Sequence, residues 1–440
     1  MSSQMTEITR RFDQPVHEET FKLASDAGYP ENFPRNAKWC PDGSVFLAQA
    51  ENRTFQIIDR TTGNLTPDGG GARTILRQPA PILDYLWYPM ASRLNPAAYC
   101  FVASLRASYS IVDHRERHIA PHSLSFNAIA TKLYCGFEDA IEVFDVHRPG
   151  QGDRIATSPA KKSKDGLKGI ISALAFCPSY DSDLFAAGSL SPASALNSNI
   201  ALFSADTGHA LMFVGTDTTE GTSHPSVTQL RFNPTQPHIL YGAFRKRDAI
   251  YSWDLRGHVS APVAVFRRSR PATTTRPPAT NQKLLFDVDP SGQWLSVGDE
   301  AGSISTFSLT GAPMSTDEAT VDDAQEVPPA SVFSAHNDAI GSVAFHPWEP
   351  MLLSASGSRH FSTGLSSAVG AASDSDESSD DESSNTSAEH QTGRSSFVRR
   401  RRSKPTPHTK DASLKLWRYG PVGGNVPEEL IEPAREGVVQ

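Results

Sequence analysis

Apolar and polar positions alternate in short bursts along most of this chain, and the bursts recur as a phrase. An apolar strand runs into a turn built on Pro followed by Asp, Ser or Thr. A second strand rich in small residues comes next, then a third that ends in an aromatic residue or an aspartate. The phrase covers residues 37–59, more loosely 83–104, then 123–145, 171–203, 227–254 and 283–307. A last copy, 340–356, finds its partner strand far downstream at 413–417. Period-two alternation suits half-buried antiparallel strands, so the pattern predicts seven sheet-forming units.

Local chemistry agrees with that reading. Pro41-Asp42-Gly43 and Pro290-Ser291-Gly292 set a fixed φ before a permissive glycine, as a tight hairpin requires. Gly136, Gly188, Gly242 and Gly298 fall in the second strand of their units, where sheets would crowd toward a central channel. Phe55, Phe144, Phe203, Trp253, Phe307 and Trp417 take equivalent late-strand positions and are expected to pack sheet on sheet. No single unit can hide both faces of a four-stranded sheet, so the units must stack in a ring. The expected fold is therefore all-β, a seven-bladed WD40 β-propeller with disordered inserts. Ring closure calls for a blade built from both ends of the chain, and residues 17–26 could lie outside 413–417.

Length and composition leave room for this. Seven blades of roughly 40 residues need about 280 to 300 positions, and the chain has 440. Apolar residues make up only 38%, with 32 prolines and 30 glycines, which suggests a folded body carrying disordered segments. The expected organisation is an N-terminal segment over 1–30, a propeller over 31–420, an insert at 359–410 inside the last unit, and a flexible tail at 421–440.

The second unit breaks the pattern. After Ser104 the chain reaches the third unit within 20 residues, too soon for two further strands. Either residues 108–113 form an abbreviated strand, or a stretch of roughly 15 to 20 residues is missing, as a missed exon would leave it. The second is favoured, because an unpaired blade edge invites aggregation. Residues 267–280 carry four arginines and three prolines without apolar periodicity, the signature of a solvated loop or a phosphate contact. In the larger insert, serines set among acids make Ser373, Ser375, Ser378 and Ser379 phosphorylation candidates. Beyond them, Arg399, Arg400, Arg401, Arg402 and Lys404 form a nuclear-import candidate.

The net charge of −8 does not advertise wholesale nucleic-acid binding, but local basic loops stand out. Lys161, Lys162, Lys164 and Lys168 lie between the third and fourth units, Arg245, Lys246 and Arg247 in the fifth, and Arg267, Arg268 and Arg270 before the sixth. Cations for phosphates, with aromatics such as Trp87, Tyr88, Phe244 and Tyr251 nearby in sequence, make an RNA surface conceivable. A continuous positive patch joining the first two groups would favour RNA; dispersed charge would favour protein partners.

No catalytic pattern is present: no GxSxG, HExxH or phosphate loop. Asp287 and Asp289 are expected to serve a turn or the surface rather than acid–base work. His336, shortly before the strand at 340, is expected to lock its blade by hydrogen bonding with an Asp of a tight turn. Cys40, Cys135 and Cys177 sit in apolar runs without CxxC spacing and read as buried thiols, with no metal or cofactor implied. No run of 18 apolar residues is long enough to span a membrane.

Several phrases go beyond what WD repeats share. Residues 30–42 (PENFPRNAKWCPD), 83–90 (LDYLWYPM), 120–126 (APHSLSF), 133–137 (LYCGF), 169–178 (GIISALAFCP), 245–255 (RKRDAIYSWDL) and 280–292 (TNQKLLFDVDPSG) resemble the telomerase Cajal body protein 1 family, in a fungal member. The resemblance runs from about residue 31 to the end of the last unit. It implies a non-catalytic platform that binds small nuclear guide RNA of the box H/ACA type, or telomerase RNA, together with its proteins. It also implies a role in taking such particles to Cajal bodies in the nucleus, with the cytoplasm also open. A protein-only scaffold in splicing or another nuclear complex is the competing expectation. The resemblance carries over no individual RNA-contacting residue.

Overall fold

The computed structural model describes residues 15–60, 73–104, 111–112, 118–148, 150–160, 163, 165–191, 198–215, 226–268, 281–311, 324–361 and 407–420. Among these every regular element is a β-strand. Six sheets of at least four strands form from the repeated phrase, here numbered I to VI, with the strands of each lettered a to d.

Sheet I comprises Pro34–Trp39, Val45–Ala50, Thr54–Asp59 and Arg73–Arg77. Sheet II comprises Ser123–Phe126, Lys132–Phe137, Ala140–Asp145 and Asp153–Ala156; sheet III comprises Ile171–Phe176, Leu184–Ser189, Ile200–Ser204 and Ala210–Val214. Sheet IV, Val227–Phe232, Ile239–Phe244, Ala249–Asp254 and Ala264–Arg267, gains a fifth strand, Gln325–Val327, which pairs in parallel with its edge. Sheet V then takes Ser331–Ser334 as strand d beside Phe286–Val288, Trp294–Gly298 and Ser303–Ser308. In sheet VI, Ile340–Phe345, Met351–Ser356 and Ser413–Tyr419 are completed by Pro15–Lys22, antiparallel to Ser413–Tyr419. Residues 359–408 fall outside this body as a separate unit, of which His360–Phe361 paired with Pro407–His408 is described.

The phrase at 83–104 yields only a hairpin, Tyr85–Trp87 paired with Phe101–Ala103. Ile111–Val112, within the stretch weighed as an abbreviated strand, pairs with His118–Ile119. The hairpin nonetheless holds a position between sheets. Tyr85 and Trp87 pack with Val45 and Phe55 of sheet I, and Leu86, Tyr88 and Val102 with Leu124 and Phe126 of sheet II. Among the described residues six complete blades therefore form where seven units were counted. The shortfall falls where too few residues separate Ser104 from Ser123 to build two more strands.

Each remaining sheet packs its face on the next, II on III, III on IV, IV on V, V on VI and VI on I. The late-strand aromatics fill these cores and the two that flank the hairpin: Phe55, Phe144, Phe203, Trp253 and Phe307 are essentially inaccessible, and Trp417 is buried. The strand-b glycines explain how closely sheets approach. A Cβ on Gly188 would meet Val227 Cγ1 at 2.5 Å, and one on Gly136 would meet the Ile171 backbone oxygen at 2.8 Å. Gly298 likewise abuts Ile340. Each neighbour is the first residue of the next strand a. Gly242 departs from the expectation: its room is taken by Trp253 of its own sheet, at 2.9 Å.

The predicted role of His336 is visible in sheet VI. Its ring is buried, with Nε2 2.7 Å from Ser354 Oγ and Nδ1 3.2 Å from Ser413 Oγ and 3.3 Å from Asp411 Oδ2. Trp417 Nε1 donates to the same Ser354 Oγ at 2.9 Å. This network ties the turn at Asp411 to strands b and c. Asp289 caps its turn as expected, accepting from the Gln293 and Trp294 backbone amides at 2.8 Å each. Asp287 does not serve a turn. It is buried, pairs with Arg231 of sheet IV at 2.5 Å and accepts the Phe345 amide of sheet VI at 2.8 Å, so it joins three sheets.

Burial pushes His336 below its ordinary 6.5, against the pull of Asp411. Below pH 6.5 the unfolded chain thus takes up a proton that the folded chain refuses, and stability falls as pH drops toward the folded value. Asp411 is held far below the carboxylate range by its hydrogen bonds despite burial, so its contribution is lost as pH falls from about its ordinary 3.8, where the unfolded chain takes up the proton, toward its folded value. Urea unfolding should show a lower midpoint at about pH 5.5 than at about pH 7.5. His336→Gln should cost about 2 to 4 kcal/mol at neutral pH and flatten that dependence. Equal midpoints in wild type at both pH values would refute the account. Among the cysteines, Cys40, Cys135 and Cys177 are buried and Cys100 is exposed. Burial lifts the Cys40 thiol to about 12. A thiol reagent should therefore titrate one cysteine in the native protein and all four after denaturation.

Candidate anion-binding face

The a-to-d order is the same in sheets I to VI, and Leu285 and Ser342, at the first strands of V and VI, bridge in parallel. First strands consequently all begin at one rim of the ring, here called the upper rim. The links from strand d to the next strand a, and the turns from b to c, share that rim. The a-to-b turns lie on the opposite, lower rim.

The basic residues singled out from sequence fall on the upper rim wherever they are described. Arg245, Lys246 and Arg247 form the b-to-c turn of sheet IV, with Lys246 at φ 58°. Arg267 ends strand d of the same sheet and pairs with Asp248 at 3.2 Å and Glu326 at 3.4 Å. Arg268 donates to the Gly298 carbonyl at 3.2 Å and to the Arg247 carbonyl at 2.5 Å, so it braces this turn against sheet V. Lys168 precedes sheet III and donates to the Ala160 carbonyl at 2.7 Å. Lys161, Lys162, Lys164 and Arg270 lie outside the described residues, as do the phosphorylation candidates Ser373, Ser375, Ser378 and Ser379 and the import candidates Arg399 to Arg402 and Lys404.

The structure adds cations that sequence reasoning missed. A cavity of about 570 Å³ occupies the ring's axis, walled by the first strands of sheets I to IV, the hairpin and residues 281–285. Arg35, Lys38, Arg231, Arg245 and Lys283 line it, and Asp84 is the one carboxylate among its lining residues. Three of the five cations are paired: Arg35 with Glu51 at 3.1 Å, Lys38 with Asp84 at 3.4 Å and Arg231 with Asp287. Lys38 also reaches the Tyr85 carbonyl at 2.5 Å and lies 4.6 Å from the centre of the Tyr85 ring. Lys283 is pushed below its ordinary 10.5 by burial first, and further by the charges of Arg245, Lys38 and Arg35, while Asp84 opposes the shift. His122 is lowered by burial and by Lys283. The signal available in sequence was positional: Lys38, Lys283 and His122 stand in or just before a first strand, where an inward-facing side chain enters the channel.

The aromatics do not form an exposed stacking surface. Phe244, Tyr251 and Trp87 are buried, and Tyr88 packs on Phe126. The lower rim differs in kind: Trp348, Tyr180, Ile129, Met90 and Leu94 are exposed there, in the a-to-b links of sheets VI, III and II and of the hairpin. Among the described residues no group of three or more His, Cys, Asp or Glu stands close enough to hold a metal ion. The same residues include no helix long and apolar enough to cross a membrane.

Four-stranded sheets stacked around an axial channel, one of them locked by the His336–Ser354–Trp417 network, define a WD40-type β-propeller. Residues 328–361 match the family "WD domain, G-beta repeat". Over 75% of its length the chain is 31% identical to the telomerase Cajal body protein 1 of Rattus norvegicus and 32% identical to that of Mus musculus. It is also 25% identical, over 64% of its length, to the guanine nucleotide-binding protein negative regulator 1 of Schizosaccharomyces pombe, covering 72% of that protein. The chain is thus a homologue of telomerase Cajal body protein 1, in keeping with the resemblance carried by its strand phrases. It spans about 60% of the length of the rat and mouse proteins. No enzymatic family is indicated by these matches.

The Asp287 contact is open to a direct check. Asp287→Asn leaves Arg231 without its counter-charge at the junction of three sheets, and should cost about 2 to 4 kcal/mol in urea denaturation. A loss below about 0.5 kcal/mol would show that the contact contributes little beyond a surface ion pair.

Proposed function

We propose that this propeller is a non-catalytic nuclear platform for a small RNA of the box H/ACA guide class or telomerase RNA, or for its ribonucleoprotein, and that it aids the localisation of that particle in the Cajal body. The observation that carries the reading is the homology to telomerase Cajal body protein 1 over three quarters of the chain. The basic turn Arg245–Arg247 beside the cation-lined cavity supports it, since clustered cations attract a phosphate backbone. Arg245, Lys246 and Arg247 are the contacts proposed in this region, with Arg267 and Arg268 bracing them. Lys161, Lys162, Lys164 and Lys168 are the further contacts proposed. In this reading the ring has seven positions, the second reduced to a hairpin. Import through Arg399–Arg402 and Lys404, and phosphorylation at Ser373, Ser375, Ser378 and Ser379, complete the proposal.

A second reading, a protein-only scaffold in a splicing or other nuclear complex, is favoured by the exposed apolar side chains of the lower rim. The two need not share a surface. Crosslinking and immunoprecipitation of the tagged native protein, with sequencing of the attached RNA, separates them. Enrichment of box H/ACA or telomerase RNA is expected, and it should fall at least about tenfold in Arg245→Glu/Lys246→Glu. The salt slope of RNA binding should shrink by roughly 0.7 for each phosphate that the variant no longer neutralises. Recovery of no specific RNA would leave the protein scaffold as the function.

A further inference from the structure

The five cations of the axial cavity are not equivalent. Arg35, Lys38 and Arg231 have carboxylate partners, whereas Arg245 and Lys283 have none among the described residues. These two come from adjacent sheets, Arg245 from the b-to-c turn of IV and Lys283 from the segment leading into V. They also share a second, smaller hollow between IV and V, lined further by Lys246, Arg247 and Arg268. Like charges converge here from several elements, and Lys283 is half-buried. A chain of net charge −8 had ample carboxylate to neutralise them, yet among the residues lining the cavity it supplies only Asp84, already engaged by Lys38. Uncompensated cations at the lip of a low-dielectric cavity focus a positive potential into it.

We propose that the channel mouth is a binding site for a compact, multiply phosphorylated small anion of the inositol-polyphosphate class, clamped between Arg245 and Lys283, with Arg35 and Lys38 facing it from sheet I. The cations converge on one hollow from separate sides of the ring and are not laid out in a row. That arrangement fits a compact polyanion better than an extended backbone, for which a stripe would serve. Guanidinium and ammonium groups both bind phosphate through charge-assisted hydrogen bonds. The cavity's volume of about 570 Å³ lies within the range that holds a small ligand. Such an anion would fasten sheet I to sheets IV and V across the axis, and so stabilise the ring. This site is separate from the RNA reading, which concerns the exposed loops, although Arg245 borders both.

The test is thermal unfolding of the full chain with inositol hexakisphosphate or tripolyphosphate, against sodium sulfate at equal ionic strength. At saturation the polyphosphates should raise the midpoint by roughly 3 to 6 °C, and sulfate by far less. Lys283→Met and Arg245→Gln should each abolish most of that rise. Without ligand, Lys283→Met should melt at or above the wild-type temperature, because it removes a half-buried like charge, so an absent response cannot be ascribed to misfolding. An equal rise in the variants, or an equal rise with sulfate, would overturn the proposal. If a single-stranded RNA raises the midpoint and the polyphosphates do not, the compact-anion site is refuted while the RNA reading stands. The converse result separates the two in the other direction.

Discussion

A four-stranded antiparallel sheet with two apolar faces has no stable existence alone, and everything else in this protein follows from that constraint. Each face must find another, and the only arrangement that leaves none uncovered is a closed ring. Closure rests on one antiparallel pairing, Pro15–Lys22 against Ser413–Tyr419, between strands separated by almost the whole chain. It is reinforced across the seam, where Trp39 Nε1 donates to the Ala344 carbonyl at 3.2 Å and His346 Nε2 sits 3.0 Å from the Gly43 carbonyl. Such contacts order nothing by themselves. They act because the packed faces on either side have already fixed where the two ends meet.

Much of the architecture was legible because the signal was periodic. The repeated phrase placed strands a to c of the six complete sheets, and the proline–glycine turns named positions that require positive φ: Gly43 lies at 74° and Gly292 at 69°. Long-range choices were not legible. Nothing local announces that Gln325–Val327 leaves sheet V's path to lie parallel on sheet IV, since its three residues carry no distinctive alternation. Asp287 was misjudged for a similar reason. Its neighbours in sequence belong to a turn, while its partners, Arg231 and Phe345, are about 56 to 58 residues away and become neighbours only in the ring.

The candidate site shows the same division. Loop cations such as Arg245 to Arg247 stand out in sequence because basic runs are rare in an acidic chain. Lys38 and Lys283 do not, because a single lysine inside an apolar strand looks like an interruption of the pattern. Only the ring makes it informative: the inward-facing positions of several first strands meet around one axis, and isolated charges there become a cluster. Among the described residues the cavity lining is predominantly basic, and the a-to-b links of the lower rim carry exposed apolar side chains, so the two regions offer different chemistry to partners.

The seam that closes the ring also sets a schedule. Glu18 and Arg418, ion-paired at 2.9 Å, are separated by 400 positions. At roughly 5 to 20 residues per second, about 20 to 80 seconds of synthesis separate the two halves of the last sheet. Through that interval the first-made strand has no partner, and the exposed faces of sheet I on one side and of each newly made sheet on the other are open to wrong neighbours. A ribosome-bound chaperone that shields short apolar strands would therefore matter more here than in a protein whose sheets pair locally.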